Sequence, residues 1–517
     1  MKERVPIGPL AVLAALIGGI VGGEVAGPGP ALGVLVLGAT GIVAAGFLRT
    51  SPLRLAVAVV AFALLGTAVM QRAIHGLAVS PLTVAVEQRA DARLAGTLVD
   101  DPESSRFDAR ALVRVDDVSG HAAGGRRVLV SASGDVAGHL RLLSAGDGAV
   151  VQGWFAPLEG FDARFRWKHA VGAFHATDFL GAARAGGPLA RAANDARTLV
   201  LAGSQHLAPV DRALLAGFLL GDTRGVPDTL TEQFRAAGLT HLTAVSGENV
   251  AFVLALFAPF LRRLAWRGRV VGAVAVLVFF GTITRWEPSV LRAIAMAVIG
   301  LVAGYLGRPT VGLRVLVLAA TALLVADPFL LHSVGFLLSC AASLGIAVLA
   351  RPIAARLRGP AWMREVLGVT AAAQIGVAPV LIPVFGSMPL VALPANLVAV
   401  PLAAPLTMWG LIAGVLGGLT RSVSPAIPRL LEVPTVALLH ALIAVADVAS
   451  HVPIAVDGRA AWGLVALGAL AAAGYRSRRF RKVMPEQSTK PEGRPRRPGR
   501  GSVPERGSNA SYRTGRW

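Results

Sequence analysis

A series of long apolar runs constrains this chain more than any other feature of its sequence. A helix needs about 20 predominantly apolar residues to cross a bilayer, with roughly 17 to 25 tolerated. The candidate runs are 8–26, 31–48, 53–71, 239–261, 270–284, 289–306, 311–326, 329–350, 364–383, 390–416, 434–450 and 460–474. The runs 270–284 and 460–474 are short for a span. We therefore predict a polytopic α-helical membrane protein with about 12 transmembrane helices.

The charge content agrees with a bilayer as the solvent. Only 15% of the 517 residues are charged, whereas soluble globular chains carry about 25%. Glycine is abundant, at 59 residues, and aromatic residues make up only 6%. This composition favours transmembrane helices that pack closely through small residues. The single cysteine, Cys340, excludes an internal disulfide.

Basic residues between the runs predict the orientation, because Lys and Arg accumulate in short cytoplasmic loops. We place Lys2 and Arg4 in the cytoplasm and let successive helices cross the membrane in opposite directions. Most of the cations in the loops then also lie in the cytoplasm. These are Arg49, Arg54, Arg262, Arg263, Arg267, Arg269, Arg308, Arg351, Arg356, Arg358, Arg421 and Arg429. Arg285 is the clear exception, and Glu287 lies close to it. We expect a multi-pass protein of the cell membrane with both termini in the cytoplasm and residues 72–238 outside.

A polar interval after the third run has a different periodicity. Short alternating stretches such as "RLAGTLV", "RRVLVSAS" and "GAVVQGWF" are separated by Gly, Asp, Ser and Pro. Alternation of period two with such punctuation is typical of β-strands. About ninety residues suffice for a small barrel, and an OB-like domain is the natural prediction. Residues 72 to 184 contain thirteen basic and thirteen acidic side chains, so this domain is neutral.

The chain therefore divides into five predicted regions. They are three N-terminal transmembrane helices at 1–72, an extracytoplasmic OB-like β domain at 73–185, amphipathic interfacial helices at 186–238, a transmembrane channel domain at 239–475, and a disordered basic cytoplasmic tail at 476–517. The first run lacks a convincing cleavage site and two more runs follow at once, so we expect a retained helix rather than a signal peptide. Pro209 suits the start of an amphipathic helix that lies flat at the outer interface.

Four apolar segments resemble the ComEC-type competence protein family, which forms a DNA internalisation channel. The segments are "LLAGFLLGDTRGVPDTLTEQFRAAGLTHLTAVSGENVAFV" (214–253), "EPSVLRAIAMA" (287–297), "DPFLLHSVGFLLSCAASLGI" (327–346) and "QIGVAPVLIPVFGSMPLVALPANLVAVPL" (374–402). The outer stretch "GFDARFRWKHAVGAF" (160–174) is similar as well. The resemblance implies inward transport of single-stranded DNA during natural transformation. It also implies a separate outer DNA receptor and a cytoplasmic helicase-like motor.

The sequence departs from that family in two respects. Many members have a His in the turn that reads Ser246-Gly247-Glu248-Asn249 here. Many also carry a C-terminal metallo-β-lactamase-like domain, but no His-x-His-x-Asp-His cluster occurs in this sequence. We therefore expect no nuclease or other enzymatic activity, no metal and no cofactor from this chain. No Walker A motif occurs either, so the energy for translocation is expected to come from a partner.

Polar residues within the apolar runs are the candidates for the DNA path, because ionisable groups at membrane depth are expensive and tend to face a cavity or a partner. The first set is His241, Ser246, Gly247, Glu248 and Asn249. On one continuous helix, His241 and Glu248 would lie on nearly the same face, and Gly247 would let the backbone open its amides toward phosphate. The alternative is that His241 pairs with Glu248 and ties helices together.

Three further polar residues extend this candidate path. Arg292 keeps its charge at any relevant pH and suits contact with a phosphate. Alternatively, its guanidinium extends to the membrane–water interface or forms an ion pair with Glu287. Gln374 offers a donor and an acceptor, although interhelical bonding explains it equally well. Asn396 stands among prolines that are expected to break the helix and free carbonyls.

The outer stretch interleaves cations with aromatic rings. Its members are Phe161, Arg164, Phe165, Arg166, Trp167 and Lys168. Proteins hold single strands with this combination, because cations track the phosphates while bases stack on rings. The alternative is a hairpin whose aromatic rings pack under the barrel and whose charges are solvated. The neutrality of the domain favours that alternative.

The sequence thus predicts a passive or gated channel for single-stranded DNA, with the barrel near its entrance. Three rival hypotheses remain: a membrane enzyme that uses His241 and Glu248 as acid and base, a transporter of small solutes or ions, and a shortened non-functional remnant. The basic tail, with thirteen Lys and Arg against three Glu from residue 475 onward, favours contact with anionic membrane lipid over retention of DNA. Assembly into a homo-oligomer stays open.

Overall fold

The computed structural model describes residues 7–48, 50–104, 108–243, 245–308, 311–452 and 455–457. The predicted run 460–474, the predicted basic tail, and the terminal cations Lys2 and Arg4 lie outside the described residues. Three N-terminal helices come first, α1 (Ile7–Ala26), α2 (Ala31–Phe47) and α3 (Ser51–Ala78), followed by the short α4 (Thr83–Glu87). Helix α3 continues past the predicted boundary at residue 72.

A small β-barrel follows. Its elements are β1 (Asp91–Leu98), β2 (Glu103–Ser104), β3 (Asp108–Val118), β4 (His121–Ser133), α5 (Gly134–Arg141), β5 (Gly148–Ala156), the 3-10 helix η1 (Gly160–Lys168) and β6 (Ala170–Ala183). The sheet runs β1-β5-β6-β4-β3, and β1 also pairs with β3, so five strands close on themselves. Only β4 and β6 are parallel. This closed Greek-key arrangement confirms the small barrel and has the topology of an OB-type domain.

Alternation of side chains explains why this segment closes into a barrel. Inward residues such as Leu94, Val113, Val128 and Phe174 are buried. Most outward residues are more exposed, except where Leu112 and Leu129 pack against η1. Closure leaves no long unpaired sheet edge, which protects an isolated domain of this size from edge-to-edge association.

The rest of the described chain is almost entirely helical. Its elements are α6 (Pro188–Gly203), α7 (Pro209–Leu220), α8 (Asp228–Ala236), α9 (Thr240–Thr243), α10 (Gly247–Leu261), α11 (Trp266–Ile283), α12 (Pro288–Tyr305), α13 (Gly312–Ala326), the 3-10 helix η2 (Pro328–His332), α14 (Val334–Ala354), α15 (Ala361–Phe385), β7 (Ser387–Pro389), α16 (Ala392–Thr420), α17 (Ala426–Ser450) and β8 (Ala455–Asp457). The short strands β7 and β8 pair with each other.

Eight described helices are long and apolar enough to cross a membrane: α1, α3, α11, α12, α14, α15, α16 and α17. The shorter apolar helices α2, α10 and α13 account for the remaining predicted runs within the described residues. These helices and the barrel agree with a multi-pass membrane protein that carries one small β domain. The interval before α8 also holds α7, in which residues 214–220 are all buried.

Two predictions about helix continuity need correction. The run 239–261 is not one helix, because α9 ends at Thr243 and α10 begins only at Gly247, where Ser246 is extended and its Oγ accepts the Glu248 backbone N–H at 3.2 Å. In contrast, α16 is continuous through Pro401 and Pro405. Proline removes one backbone hydrogen bond, and in apolar surroundings the helix keeps its remaining bonds because the freed groups have no water to turn to.

Small residues set the distance between neighbouring helices. Side chains added at Gly19 of α1 or Gly66 of α3 would overlap the backbone carbonyl of Ala63 or Leu16 on the opposite helix. The Thr67 hydroxyl also donates to the Gly19 carbonyl, at 3.0 Å. Similar backbone contacts join α14 with α15 and α6 with α16. Close approach through glycine is how helices associate when lipid provides no hydrophobic drive.

Adjacent glycines on α1 allow a direct test of this packing. We expect Gly19→Leu to separate α1 from α3 and to lower the thermal unfolding temperature of the purified protein, because the added side chain has no space. A side chain at Gly18 meets no atom within 4 Å, so Gly18→Leu is the matched control and should leave the unfolding temperature nearly unchanged. Equal unfolding temperatures for the two variants would contradict this account.

Candidate nucleic-acid interface

The outer cationic stretch forms η1, in the loop between β5 and β6 of the barrel. Two of its cations, Arg164 and Lys168, form ion pairs. Arg164 contacts Glu103 at 3.1 Å, and Lys168 lies 3.5 Å from Asp100 and 3.8 Å from Glu103. These carboxylates lie in the connection between β1 and β3, which includes the short β2, so the pairs join this connection to the β5–β6 loop at one end of the barrel. This end is the one whose loops, together with the strand face, bind oligonucleotides in OB-type barrels.

The aromatic residues of η1 divide into three roles. Phe165 is 3% exposed and packs on Leu112 and Leu129 of the barrel. Trp167 stacks on His332 of η2, with ring centroids 3.7 Å apart. Phe161 is 67% exposed, and the Arg164 guanidinium lies 3.8 Å from its ring centroid. Packing therefore explains Phe165 and Trp167, whereas Phe161 presents a free ring face.

Arg166 is exposed, and its guanidinium lies 5.5 Å from the Trp167 ring centroid. It forms no ion pair among the described residues. Of the six predicted outer contacts, Phe161 and Arg166 are thus the two that neither pack into the protein nor form an ion pair among the described residues.

A buried ion cluster joins the barrel to the helices. Asp101 contacts Arg197 at 2.8 Å and Arg285 at 2.9 Å, and Asp222 contacts Arg197 at 3.1 Å and Arg224 at 2.6 Å. These five residues come from the β1–β3 loop, α6, the segment after α7, and the turn after α11. Three cations face two carboxylates, so the cluster as a whole stays positive.

The cluster explains two features of the sequence. Arg285, the exception to the predicted pattern of basic cytoplasmic loops, bonds Asp101 of the barrel. Arg285 and Trp286 also have left-handed backbone angles, with φ of 57° and 55°. Non-glycine residues rarely adopt this conformation. Hydrogen bonds from Arg285 to Asp101 and to the Asn194 side chain, at 3.0 and 2.8 Å, hold the turn.

Electrostatics keeps both carboxylates of the cluster ionised. Burial by itself would raise the pKa of Asp101, but the guanidinium groups of Arg197, Arg285 and Arg224 outweigh it and hold the pKa below its ordinary value. The pKa of Asp222 is lowered in the same way, with burial opposed by Arg224 and Arg197. A buried pair of this kind depends on each partner, because removing one leaves the other charge uncompensated.

A second contact lies beside the stacked ring of Trp167. His169 of the barrel bonds Asp327, with Nε2 and Oδ2 3.0 Å apart, and His332 bonds Glu24 of α1 at 3.1 Å. The Asp327 carboxylate also accepts the backbone N–H of Phe329 at 3.0 Å, as expected for a cap of the turn that follows. The barrel, η2 and α1 therefore form a continuous set of polar and aromatic contacts.

The predicted path residues around α10 have separate surroundings. His241 is exposed on the short α9, and Glu248 is exposed on the first turn of α10. The argument that both share one helical face is wrong, because the chain leaves the helix between them. Among the described residues no hydrogen bond or ion pair joins His241 to Glu248, so the alternative of a His241–Glu248 tie lacks a contact as well.

Ser246 and Asn249 hold the break in place. The Ser246 hydroxyl donates to Asn249 Oδ1 at 3.2 Å, and Asn249 Nδ2 donates to the Phe218 carbonyl at 3.1 Å. Asn249 is buried. These bonds fix the start of α10 against the end of α7, and Gly247 occupies the first helical position between them.

Arg292 of α12 is 8% exposed and lies next to this start. Its Nε donates to Ser339 Oγ of α14 at 2.7 Å, and its Nη1 contacts Met296 Sδ at 2.9 Å. No carboxylate contacts it among the described residues, so the alternative of an ion pair with Glu287 finds no support. A buried guanidinium without a counter-ion is costly and marks a site where an anion would be stabilised.

The last two path candidates lie elsewhere. Gln374 of α15 donates to the Pro389 carbonyl at 3.3 Å, which supports its reading as a structural bond. Asn396 is 5% exposed, and its Oδ1 has no partner among the described residues. The described part of the chain brings together Ser246, Gly247, Glu248, Asn249 and Arg292. It contains no group of three or more His, Cys, Asp or Glu residues that could hold a metal.

The ion cluster was missed by sequence reasoning. Its signal in the sequence was Arg285, which violated the charge pattern. Ser339 was also missed, because a serine in an apolar helix is ordinary.

Comparison with known proteins gives the family. Residues 218–480 match the family model described as "Competence protein", which covers half of the chain. The chain belongs to this family. It is also 27% identical over 214 residues to "ComE operon protein 3" of Bacillus subtilis (strain 168), covering 41% of this chain and 27% of that protein. No solved structure matches significantly.

A second relative is "Uncharacterized protein YcaI" of Escherichia coli (strain K12), 27% identical over 215 residues, covering 38% of this chain and 28% of that protein. The matched region therefore spans about a quarter of the length of either relative. The matched family segment begins within α7 and includes α10, α12 and α14. Arg292 lies on α12 and bonds Ser339 of α14.

The buried cluster makes a direct stability prediction. We expect Asp101→Asn to lower the free energy of unfolding by about 3 kcal/mol, because it leaves Arg285 without its carboxylate and Arg197 with only one. Asp116→Asn is the control, since the Asp116 side chain is 57% exposed on the same barrel. Thermal unfolding of the purified full chain would measure both. An Asp101→Asn protein as stable as the Asp116→Asn protein would contradict this role.

Proposed function

We propose that this protein is a membrane channel that carries single-stranded DNA inward during natural transformation, the process that establishes competence. Membership of the competence family over residues 218–480 supports the proposal most directly. The docked barrel adds to it, because an OB-type domain is a common platform for single strands. A strand bound on that barrel end would stand beside the turn that joins α11 and α12.

The orientation follows from charge. With the described cations of the α10–α11 loop inside (Arg262, Arg263, Arg267 and Arg269), the turn that bears Arg285 and the barrel lie outside. We propose about 12 transmembrane helices on this basis, with both termini cytoplasmic and the barrel extracytoplasmic. The helices of residues 239–416 would surround the path.

The partners follow from what the channel would need. Double-stranded DNA must first be captured, which suggests a separate outer receptor, and inward movement needs an energy source such as a cytoplasmic helicase-like motor. Anionic membrane lipid would contact the basic loops. The chain would act without a cofactor and as a conduit rather than an enzyme. A homo-oligomer is compatible with this function.

The rival enzyme and solute-transporter hypotheses depended on His241 and Glu248 acting together. Acid–base catalysis requires both groups within hydrogen-bond reach of one substrate. These side chains lie on different helices without a mutual contact among the described residues, and no other observation favours either rival.

The barrel makes a specific prediction about single-strand binding. We expect Phe161→Ala to weaken binding of an oligonucleotide to the full chain by about 1–3 kcal/mol, because the exposed ring loses a stacked base. Leu180→Ala is the control, since Leu180 is 49% exposed on the same barrel. Fluorescence anisotropy with a labelled oligonucleotide at low salt would measure the affinities. Equal affinities for the two variants would exclude Phe161 as a contact.

Deletion of the gene tests the channel itself. In a transformable host, labelled DNA should fail to reach the cytoplasm of the deletion strain, and the wild-type gene should restore import. Restoration with His241→Ala would show whether that exposed side chain takes part. Normal import of single strands by the deletion strain would overturn the proposed function.

A further inference from the structure

A cleft lies between α2 and α3, at the end of α3 that leads to the barrel. Its volume is about 630 Å³, within the range of roughly 300–1,000 Å³ that is typical of ligand sites. Residues 29–33 and Leu35 form one wall, and Ala68, Arg72 and His75 form the other. The cleft shares no residue with the candidate DNA path or with the buried ion cluster.

The packing of α2 on α3 explains the cleft. A Cβ atom added at Gly38 would stand 3.0 Å from the Leu65 backbone nitrogen, so the two helices touch there. Ala31 and Leu35 lie on nearly the same face of α2 as Gly38. They are nevertheless only half-buried, and both line the cleft. The two helices therefore separate towards the start of α2, and the gap between them is the cleft.

Basic side chains lie along the α3 wall. Arg72 and His75 are exposed, and neither forms an ion pair or a side-chain hydrogen bond among the described residues. Gly76, one turn beyond Arg72, lies beside the barrel, because a Cβ atom there would stand 3.7 Å from Arg126 Nη1 on β4. Arg126 likewise has no carboxylate partner in the described part of the chain. The cationic end of the cleft thus combines α3 with the barrel and has no counter-ion of its own.

The α2 wall has the opposite character. This helix contains no charged residue, and its Leu32 and Leu37 side chains are 75% and 63% exposed. On a multi-pass membrane protein, apolar side chains that face outward contact lipid. The cleft therefore opens towards acyl chains along one wall and carries basic groups at one end. A phospholipid has the same order of groups, since an anionic phosphate stands at the end of its apolar chains.

We propose that this cleft binds one anionic glycerophospholipid, with its phosphate at Arg72 and His75 and one acyl chain between α2 and α3. The Arg72 guanidinium suits phosphate because it donates two parallel N–H bonds to its oxygens. Arg126 adds positive charge from the barrel. Basic pockets between transmembrane helices bind anionic headgroups in this way. The bound lipid would hold the start of α2 against α3, and this role is independent of the proposed passage of DNA.

Two pairs of variants test the two halves of the site. Arg72→Gln removes the charge from the cleft, and Arg54→Gln is its control, because Arg54 is exposed on the first turn of the same helix. Gly33→Leu fills the cleft from a position that lines it. Gly46→Leu is the matched control on α2, outside the cleft. A Cβ atom at either glycine meets nothing within 4 Å, so neither change creates a clash at that atom.

Native mass spectrometry of the purified full chain in detergent measures the lipids that it retains. In a titration with phosphatidylglycerol, we expect Arg72→Gln and Gly33→Leu each to bind the first lipid about tenfold more weakly than the wild type, as for the loss of one charge-assisted or well-packed contact. Arg54→Gln and Gly46→Leu should bind it like the wild type. Thermal unfolding in the same detergent identifies a variant that fails to fold, and the other cleft variant then decides alone.

Several results would overturn this site. Equal affinity for phosphatidylglycerol in all five proteins would mean that lipid binds only in the general belt around the helices. Weaker binding in only one of two folded cleft variants would contradict a site that needs both the charge and the apolar gap. Displacement of the lipid by inorganic phosphate at equal concentration would exclude the acyl contact. Displacement by a single-stranded oligonucleotide would assign the basic end to nucleic acid instead.

Discussion

The cost of holding charge away from water organises this protein. A buried ion is tolerated only where a partner or a hydrogen bond compensates it. The Asp101 cluster satisfies this condition with paired charges, and it fixes the barrel to the helices at the turn bearing Arg285. Arg292 satisfies it through bonds to Ser339 and Met296, without a contacting carboxylate among the described residues. The same physical rule thus defines both the architecture and the proposed path.

Much of the fold was predictable because its signals are local. The length of each apolar run is read directly from neighbouring residues, and the described helices α1 to α3 and α10 to α17 fall on the predicted runs. The barrel was predictable for the same reason, since alternation of period two lies within each strand. An opening of the backbone at Gly247 was anticipated from the sequence, but the end of α9 at Thr243 was not, because the Ser246 cap resembles any serine in an apolar run.

The site was only partly predictable, because its partners lie far apart along the chain. Arg197 and Arg285 bond Asp101 although they are 96 and 184 residues away from it in the sequence. A local sequence pattern cannot identify partners at such separations. Arg292 was one of the predicted path residues, and its bonds go to Ser339 and Met296 rather than to Glu287, which the sequence had offered as an alternative partner. In the outer stretch, the structure uses Phe165 and Trp167 for packing and Arg164 and Lys168 for ion pairs. Phe161 and Arg166 have neither role among the described residues.

The central claim is that a single strand passes the beginning of α10 on its way through the membrane. A photo-reactive amino acid placed at Glu248, on that exposed first turn, should crosslink to DNA caught in transit. The same amino acid at Val271, which is 69% exposed on α11, should not. Crosslinks at both positions alike, or none at position 248 while DNA reaches the cytoplasm, would contradict the path described for this protein.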